Sequence, residues 1–362
     1  MGGTLTIDRK QFIQTAEGAA GGNDVIAVVK NNAYNYGLEF SVRAFLEAGI
    51  HSFATTSMDE ALEIRRISRE AMVFLMNPTY DLETVRENGF HITLPSLEYY
   101  HEYREALSGI SVHLEYAGLF NRSGFGTSEE MIEVINDVHA LPRHARVDVA
   151  GVWTHFGYAD ELDMEEYDVE RELWMSLLSD VLETGHVFDY IHSQNSASFA
   201  RDGLFNGHTH LRLGIALYGS RPYASLPAEN YMQSLTLKAP IVQLRRLSAN
   251  QKCGYGGSYQ PENDAKIAVV DIGYGDGILR KRADFDCMIN GKRYAIKALM
   301  MSHMIVEVDE DVTLDDEVIM YSNDLRIDDY TALGAGANSE QLGALNYNSL
   351  KKVILNDTSV YQ

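Results

Sequence analysis

Cysteine is scarce in this chain: two residues in 362, Cys253 and Cys287. Two thiols exclude a disulfide scaffold and cannot build a metal cluster by themselves, so a reducing compartment is expected and no metal site. Long apolar runs are missing too. Runs such as VIAVV (25–29) and IAVV (267–270) fall far short of the ~20 residues a membrane span needs. The N-terminus has no charged stretch leading into a long apolar one, so no secretory signal is expected and the cytoplasm is the expected location. Basic residues are in deficit, 30 Lys and Arg against 52 Asp and Glu, for a formal net charge of −22. Such a surface repels phosphate backbones and anionic lipid, which argues against nucleic acid and membranes as partners. Any anion must then be held by a few local basic groups and backbone amides. No internal repeat or low-complexity linker stands out.

What is present is ordinary globular material, 45% hydrophobic and 23% charged, in a chain long enough for two domains. From about residue 24 to 220, short apolar runs alternate with amphipathic stretches. VIAVVK is followed by LEFSVRAFLEAG, HSFATT by MDEALEIRRIS with Ser57 as its cap, and VFLM ends at Asn77-Pro78. HITL, VHLEY, VAGVWTHF, YIHSQNS and LRLGIALYG continue the series. Some eight strand–helix units predict a parallel α/β domain, and their number suits a TIM (β/α)8 barrel, although a doubly wound sheet gives a similar string. After about residue 228 the segments become short and β-rich (LKAPIVQLRRL, AKIAVVDIG, DCMINGKRYAIKAL, HMIVEV, DEVIMY), with an Asn290-Gly291 turn. The expected division is an α/β barrel over 1–228, whose first residues could pair with the rest, and a mainly β domain over 229–362.

The sharpest local signal is AVVKNNAYNYG (27–37), which sets Lys30 at the end of a buried strand. Burying an amine is costly unless it has a partner or a task. One task is Schiff-base formation with an aldehyde cofactor, since desolvation frees the nucleophile; the alternative is a strand-end lysine whose head reaches solvent.

AVVKNNAYNYG resembles the cofactor-lysine motif of the alanine racemases, the barrel-plus-β-domain class of pyridoxal-phosphate enzymes. TSMDEALEIR (56–65), RSGF (122–125), WTHFGYADE (153–161), QNSAS (194–198), LRLGIALYG (211–219), CGYGGSY (253–259) and DIGYGDG (271–277) resemble further family segments in family order. The resemblance implies an amino-acid racemase that interconverts L- and D-alanine on pyridoxal 5′-phosphate, in a homodimer with shared active sites, serving D-alanine supply for peptidoglycan. It implies that Lys30 binds the cofactor and acts as one of two bases. Tyr34, Asn195, Ser196, the amides of Gly214 and Ile215, and Tyr347 would contact the cofactor, mostly at its phosphate. A hydroxyl with consecutive N–H groups suits a dianion. Arg212 would face the pyridine nitrogen, and because an arginine does not give up its proton, the ring stays a weak electron sink. Tyr255, supplied by the partner subunit, would be the second base, helped by His155 hydrogen-bonded to it and to Arg212. Met301 would meet the substrate carboxylate, and Tyr274 would line the substrate channel.

Two positions depart from the family pattern. Glu115 stands where most relatives carry a lysine, often carbamylated; a carboxylate there can orient Arg122 toward the substrate through charge-assisted hydrogen bonds. Ser302, in MMSHM, replaces a common aspartate, and the segment Ala117-Gly118-Leu119 lacks the usual Asp-Thr-Gly. A serine or broad-specificity racemase is therefore an alternative. A decarboxylase of this cofactor class would need a late cysteine-aspartate motif, which Cys253 and Cys287 do not supply. A non-catalytic cofactor-binding protein would resemble the barrel half alone.

Overall fold

A computed structural model describes residues 2–356, in two compact units. One comprises residues 20–33 and 37–214; the other comprises residues up to 19, residues 34–36, and the chain from 215 onward. The boundary expected at 228 thus falls within the second unit. Its first strand, β1 (Thr4–Asp8), pairs antiparallel with β10 (Leu235–Leu247) and parallel with β16 (Lys351–Leu355).

The first unit is a parallel barrel of β2 (Val25–Val28), β3 (Ser52–Thr55), β4 (Met72–Leu75), β5 (His91–Leu94), β6 (Ser111–Tyr116), β7 (Asp148–Thr154), β8 (Tyr190–His192) and β9 (Leu211–Leu213). Neighbours follow the order β8-β7-β6-β5-β4-β3-β2-β9, every pair parallel. The remaining seam is bridged by Thr209 N–H to Ile191 O at 3.0 Å and Arg212 N–H to Gln194 O at 3.0 Å. This bridged seam answers the choice between barrel and open sheet. Both faces of such strands are covered, which is why they read as continuous apolar runs, and VIAV is buried at all four positions. Ser57 is the N-cap of the helix Met58–Ile67, as its position before the apolar periodicity suggests, but its side chain makes no capping hydrogen bond.

The second unit is built on an eight-stranded, mainly antiparallel sheet. It contains β1, β10 (Leu235–Leu247), β11 (Ala265–Val270), β12 (Asp286–Ile289), β13 (Lys292–Leu299), β14 (Met304–Val308), β15 (Glu317–Tyr321) and β16 (Lys351–Leu355). Asn290 and Gly291 both take positive φ, 50° and 77°, the geometry a two-residue hairpin between β12 and β13 demands.

Directly after Lys30 the chain does something the sequence did not announce. Asn31, Asn32, Ala33, Tyr34 and Asn35 all have φ between 51° and 63°, one turn of left-handed helix. Each non-glycine residue there costs about 1–2 kcal/mol, somewhat less for asparagine, so the turn persists only because its surroundings hold it. In the barrel unit, the Asn32 N–H donates to Glu60 Oε1 at 2.7 Å, and Asn32 Oδ1 accepts from Leu38 N–H at 2.8 Å. In the other unit, Asn35 Nδ2 donates to the carbonyls of Leu342, Gly343 and Leu345, and Lys352 Nζ donates to those of Asn35 and Tyr36.

Candidate active site

Most of the expected site residues of the first unit lie at or just beyond the C-terminal ends of the barrel strands, where (β/α)8 barrels place their active sites. Lys30 follows β2 and is half-buried. Desolvation lowers its amine pKa, and the charges of Arg122 and Arg212 lower it further. Each effect disfavours the ammonium and leaves more free amine near neutrality.

Arg212, on β9, is buried. Its Nη1 donates to His192 Nδ1 at 3.0 Å and to His192 O at 3.3 Å; its Nη2 donates to Thr154 O at 2.9 Å and His155 Nδ1 at 3.2 Å. Its guanidinium lies 4.7 Å from the Trp153 ring centre. Burial pulls its pKa down to about 9, Glu115 opposes that and Arg122 adds to it, so the group stays charged at neutral pH. His155, just after β7, is held well below the usual histidine range, first by burial and then by Arg212, Arg122 and Lys30. It is therefore a neutral imidazole whose Nδ1 accepts from Arg212, leaving Nε2 to carry the hydrogen. The expected Arg212–His155 hydrogen bond is present.

Glu115 is the penultimate residue of β6 and is 3% exposed. Its Oε2 accepts from Ser123 Oγ at 2.8 Å and Thr93 Oγ1 at 3.2 Å, and Trp153 Nε1 donates to Thr93 Oγ1 at 3.2 Å. Arg122 Nη2 stands 3.8 Å from Glu115 Oε1. The expected charge-assisted hydrogen bond between the two is therefore replaced by a looser ion pair. A desolvated carboxylate has taken the nearby hydroxyls first, while the half-exposed guanidinium rests 4.8 Å from the Phe120 ring centre. The RSGF segment reaches this place through a parallel bridge between Phe125 and Tyr116, in which Phe125 N–H donates to Glu115 O at 2.6 Å and Phe125 O accepts from Ala117 N–H at 3.0 Å. Gly124 makes that possible: its φ is 117°, and a Cβ there would stand 2.6 Å from Glu115 O.

Ser196, after β8, is buried, and its Oγ accepts from Gly214 N–H at 3.2 Å. Asn195 spends its side chain locally. Its Oδ1 accepts from the N–H groups of Ala197 and Ser198, and its Nδ2 donates to Phe156 O at 3.0 Å, so it acts as the cap that positions Ser196.

The remaining expected residues lie in the second unit. Tyr34 is buried against Tyr218, ring centres 4.8 Å apart, and burial pushes its phenol up to about 12. Ile215 opens a short 3-10 turn whose carbonyl accepts from Ser220 N–H. Tyr274 and Met301 sit on loops stitched together by Tyr274 N–H to Met300 O and Gly275 N–H to Met301 O, and Asn346, beside Tyr347, donates to Asp276 O and Gly275 O. Tyr347 lies under the Lys352 ammonium, 4.1 Å from Nζ to the ring centre, where burial draws that amine down to about 7. Tyr255 occupies a one-turn excursion pinned at its base by the Cys253–Tyr259 bridge and is 77% exposed; Met301 is 59% exposed.

Sequence reasoning did not single out His192, Thr93, Ser123 or Trp153. The strands of His192, Thr93 and Trp153 were read, but a polar group inside a barrel strand gives no periodic signal, and Ser123 lies on the loop after β6. Among the described residues no group of three or more His, Cys, Asp or Glu could hold a metal, and no helix is long and apolar enough to cross a membrane.

The geometry agrees with the comparisons to known proteins. Residues 10–222 match the model of the alanine racemase N-terminal domain, and residues 234–353 match that of the C-terminal domain. The chain is 53% identical over 355 residues to alanine racemase 2 of Staphylococcus aureus, covering 97% of this chain and 98% of the relative. It is 31% identical over 297 residues to alanine racemase 1 of Bacillus subtilis, covering 79% and 74%. Among solved structures, alanine racemase from E. faecalis superposes with a TM-score of 0.86 at 23% identity, covering 97% of this chain and 98% of that one. The Bartonella henselae alanine racemase, described with covalently bound pyridoxal phosphate, gives 0.87 at 19%, covering 98% and 100%.

Proposed function

The chain belongs to the alanine racemase family, and on that premise we propose that it interconverts the L and D enantiomers of alanine by proton transfer between two faces of the substrate. The observation that carries this reading is the half-buried Lys30 amine just after a barrel strand, its pKa lowered by burial and by the charges of Arg122 and Arg212.

The donor set fits pyridoxal 5′-phosphate. A free amine suits its aldehyde, and the buried Ser196 hydroxyl beside the Gly214 amide suits its phosphate. Lys30 would hold it covalently, with Tyr34, Ser196, Gly214, Ile215 and Tyr347 around the phosphate and Asn195 fixing Ser196. When bound, the group supplies an electron-withdrawing ring that acidifies the Cα–H of an attached amino acid. Arg212, charged and bonded on both Nη groups, would keep its side of the ring unprotonated, so that Cα is the preferred site for the proton's return. Lys30 would exchange that proton at one face of Cα. Tyr255 of the partner subunit would exchange it at the other, which accounts for a catalytic tyrosine 77% exposed in its own chain. His155, with its hydrogen on Nε2, would donate to the Tyr255 oxygen and favour its phenolate form. Arg122, steadied by Glu115, and the Met301 amide would receive the substrate carboxylate, with Tyr274 at the entrance. We place the enzyme as a homodimer in the cytoplasm, where its product would feed peptidoglycan precursors.

Chiral chromatography of the cofactor-loaded enzyme with L-alanine and, separately, L-serine tests the reading. Rapid D-alanine formation, lost in Tyr255→Phe, is the expected result. Faster D-serine formation would move the specificity to the Ser302 and 117–121 segments, and no racemisation of either would overturn the proposal.

A further inference from the structure

Three histidines thread the interior of the barrel in a single hydrogen-bonded file that ends on Arg212. His91 Nδ1 lies 3.0 Å from His113 Nε2, His113 Nδ1 lies 2.8 Å from His192 Nε2, and His192 Nδ1 lies 3.0 Å from Arg212 Nη1. His91 begins β5, His113 is on β6 and His192 ends β8. His113 and His192 are 0% exposed.

The direction of this file is fixed by chemistry. A guanidinium can only donate, so His192 Nδ1 must accept. Burial holds all three rings below the usual histidine range, so each is neutral with one hydrogen. His192 then carries its hydrogen on Nε2 and donates to His113 Nδ1; His113 carries its own on Nε2 and donates to His91 Nδ1. One donor at the end of the row thus sets three tautomers. The reverse also holds: with no acceptor below it, His192 could adopt the Nδ1–H form, whose N–H would oppose that of Arg212.

The surrounding packing is shaped for this ring. His113 is stacked on Phe74 at 4.5 Å and on Tyr190 at 5.1 Å between ring centres. Gly151 on β7 leaves its space, since a Cβ there would stand 2.7 Å from His113 Nδ1, and the β6–β7 register shifts at His113.

We propose that His113, supported by His91, is a positioning residue that acts through the His192 tautomer to hold Arg212 charged and aimed. The functional consequence rests on the reading above, in which Arg212 faces the cofactor ring; the tautomers do not. The test is long-range 15N–1H correlation spectroscopy on the full-length, cofactor-loaded enzyme with 15N-labelled histidine. His91, His113 and His192 are expected as Nε2–H tautomers in the native protein, which needs no variant and no activity. In His113→Phe, which keeps the ring stack and removes the acceptor, His192 should become a mixture of tautomers. Turnover should fall about five- to tenfold, the loss expected of one buried hydrogen bond. His113→Gln, whose amide oxygen can accept from His192, should recover most of both. A native His192 in the Nδ1–H form, or a His113→Phe spectrum with His192 unchanged, would overturn the proposal even in a fully active racemase. Normal tautomers in an enzyme that racemises nothing would instead count against the proposed function.

Discussion

The two units carry their share of the candidate site in opposite ways. In the barrel, Arg212, His155, Glu115 and Ser196 each have hydrogen-bonding or ionic partners within the same unit, and Lys30 feels the charges of Arg122 and Arg212. In the β-rich unit, Tyr255, Met301 and Tyr347 stand 77%, 59% and 48% exposed. A polar constellation held by buried partners is preorganised, whereas large side chains on exposed loops leave surface that a partner could cover. The contrast teaches that one half of the machinery is finished by folding, and we propose that the other is finished by pairing with a second copy.

The strongest way to break that comparison is to remove the proposed base from each half. Lys30→Ala should cut racemisation by at least about 10³-fold and abolish covalent cofactor attachment, read by mass spectrometry after borohydride reduction. Tyr255→Phe should cut racemisation by about 10²-fold or more while leaving attachment intact. Loss of attachment in Tyr255→Phe would erase the distinction between the halves.

Smaller effects sharpen it. Glu115→Gln should raise KM for alanine by about tenfold with a lesser change in kcat, because Arg122 loses the charged support that we propose steadies it at the substrate carboxylate. Steady-state kinetics check this, and unchanged values would release Arg122 from Glu115. The barrel should also be the acid-sensitive unit. The folded pKa values of His113 and His192 lie well below 6.5, so the unfolded chain binds more protons as pH falls. Their contribution is therefore fully present above about pH 6.5 and is lost on acidification, by up to about 1.4 kcal/mol per histidine per pH unit. Urea unfolding at pH 7.5 and 5.5 should show this drop, shallower in His113→Phe. The smallest effect is expected at Asn195→Ala, a lost cap that should cost about 1 kcal/mol in thermal unfolding.

Much of the fold could be read from the sequence, for a physical reason. Each barrel strand is covered on both faces and so appears as a short apolar run, and all eight segments from VIAVV to LRL became strands. Lys30, His155 and Arg212 were visible as polar residues punctuating those runs. The left-handed turn at 31–35 was not, because its stability comes from distant partners such as Glu60 and Lys352 that no local pattern records. Nor was the histidine file: its members are 22 and 79 positions apart and meet only because β5, β6 and β8 point their side chains into one barrel. The loose Glu115–Arg122 pair was misjudged in closeness, since the competing Ser123 and Thr93 hydroxyls are a matter of three-dimensional packing.

The central claim is that each active site joins a barrel from one chain to Tyr255 from another. Equal amounts of Lys30→Ala and Tyr255→Phe chains, each nearly inactive alone, can be co-assembled and assayed for D-alanine formation. Half of the dimers would then be mixed, each with one intact site, so recovery of about a quarter of native activity is predicted. A mixture no more active than its two components would contradict the account.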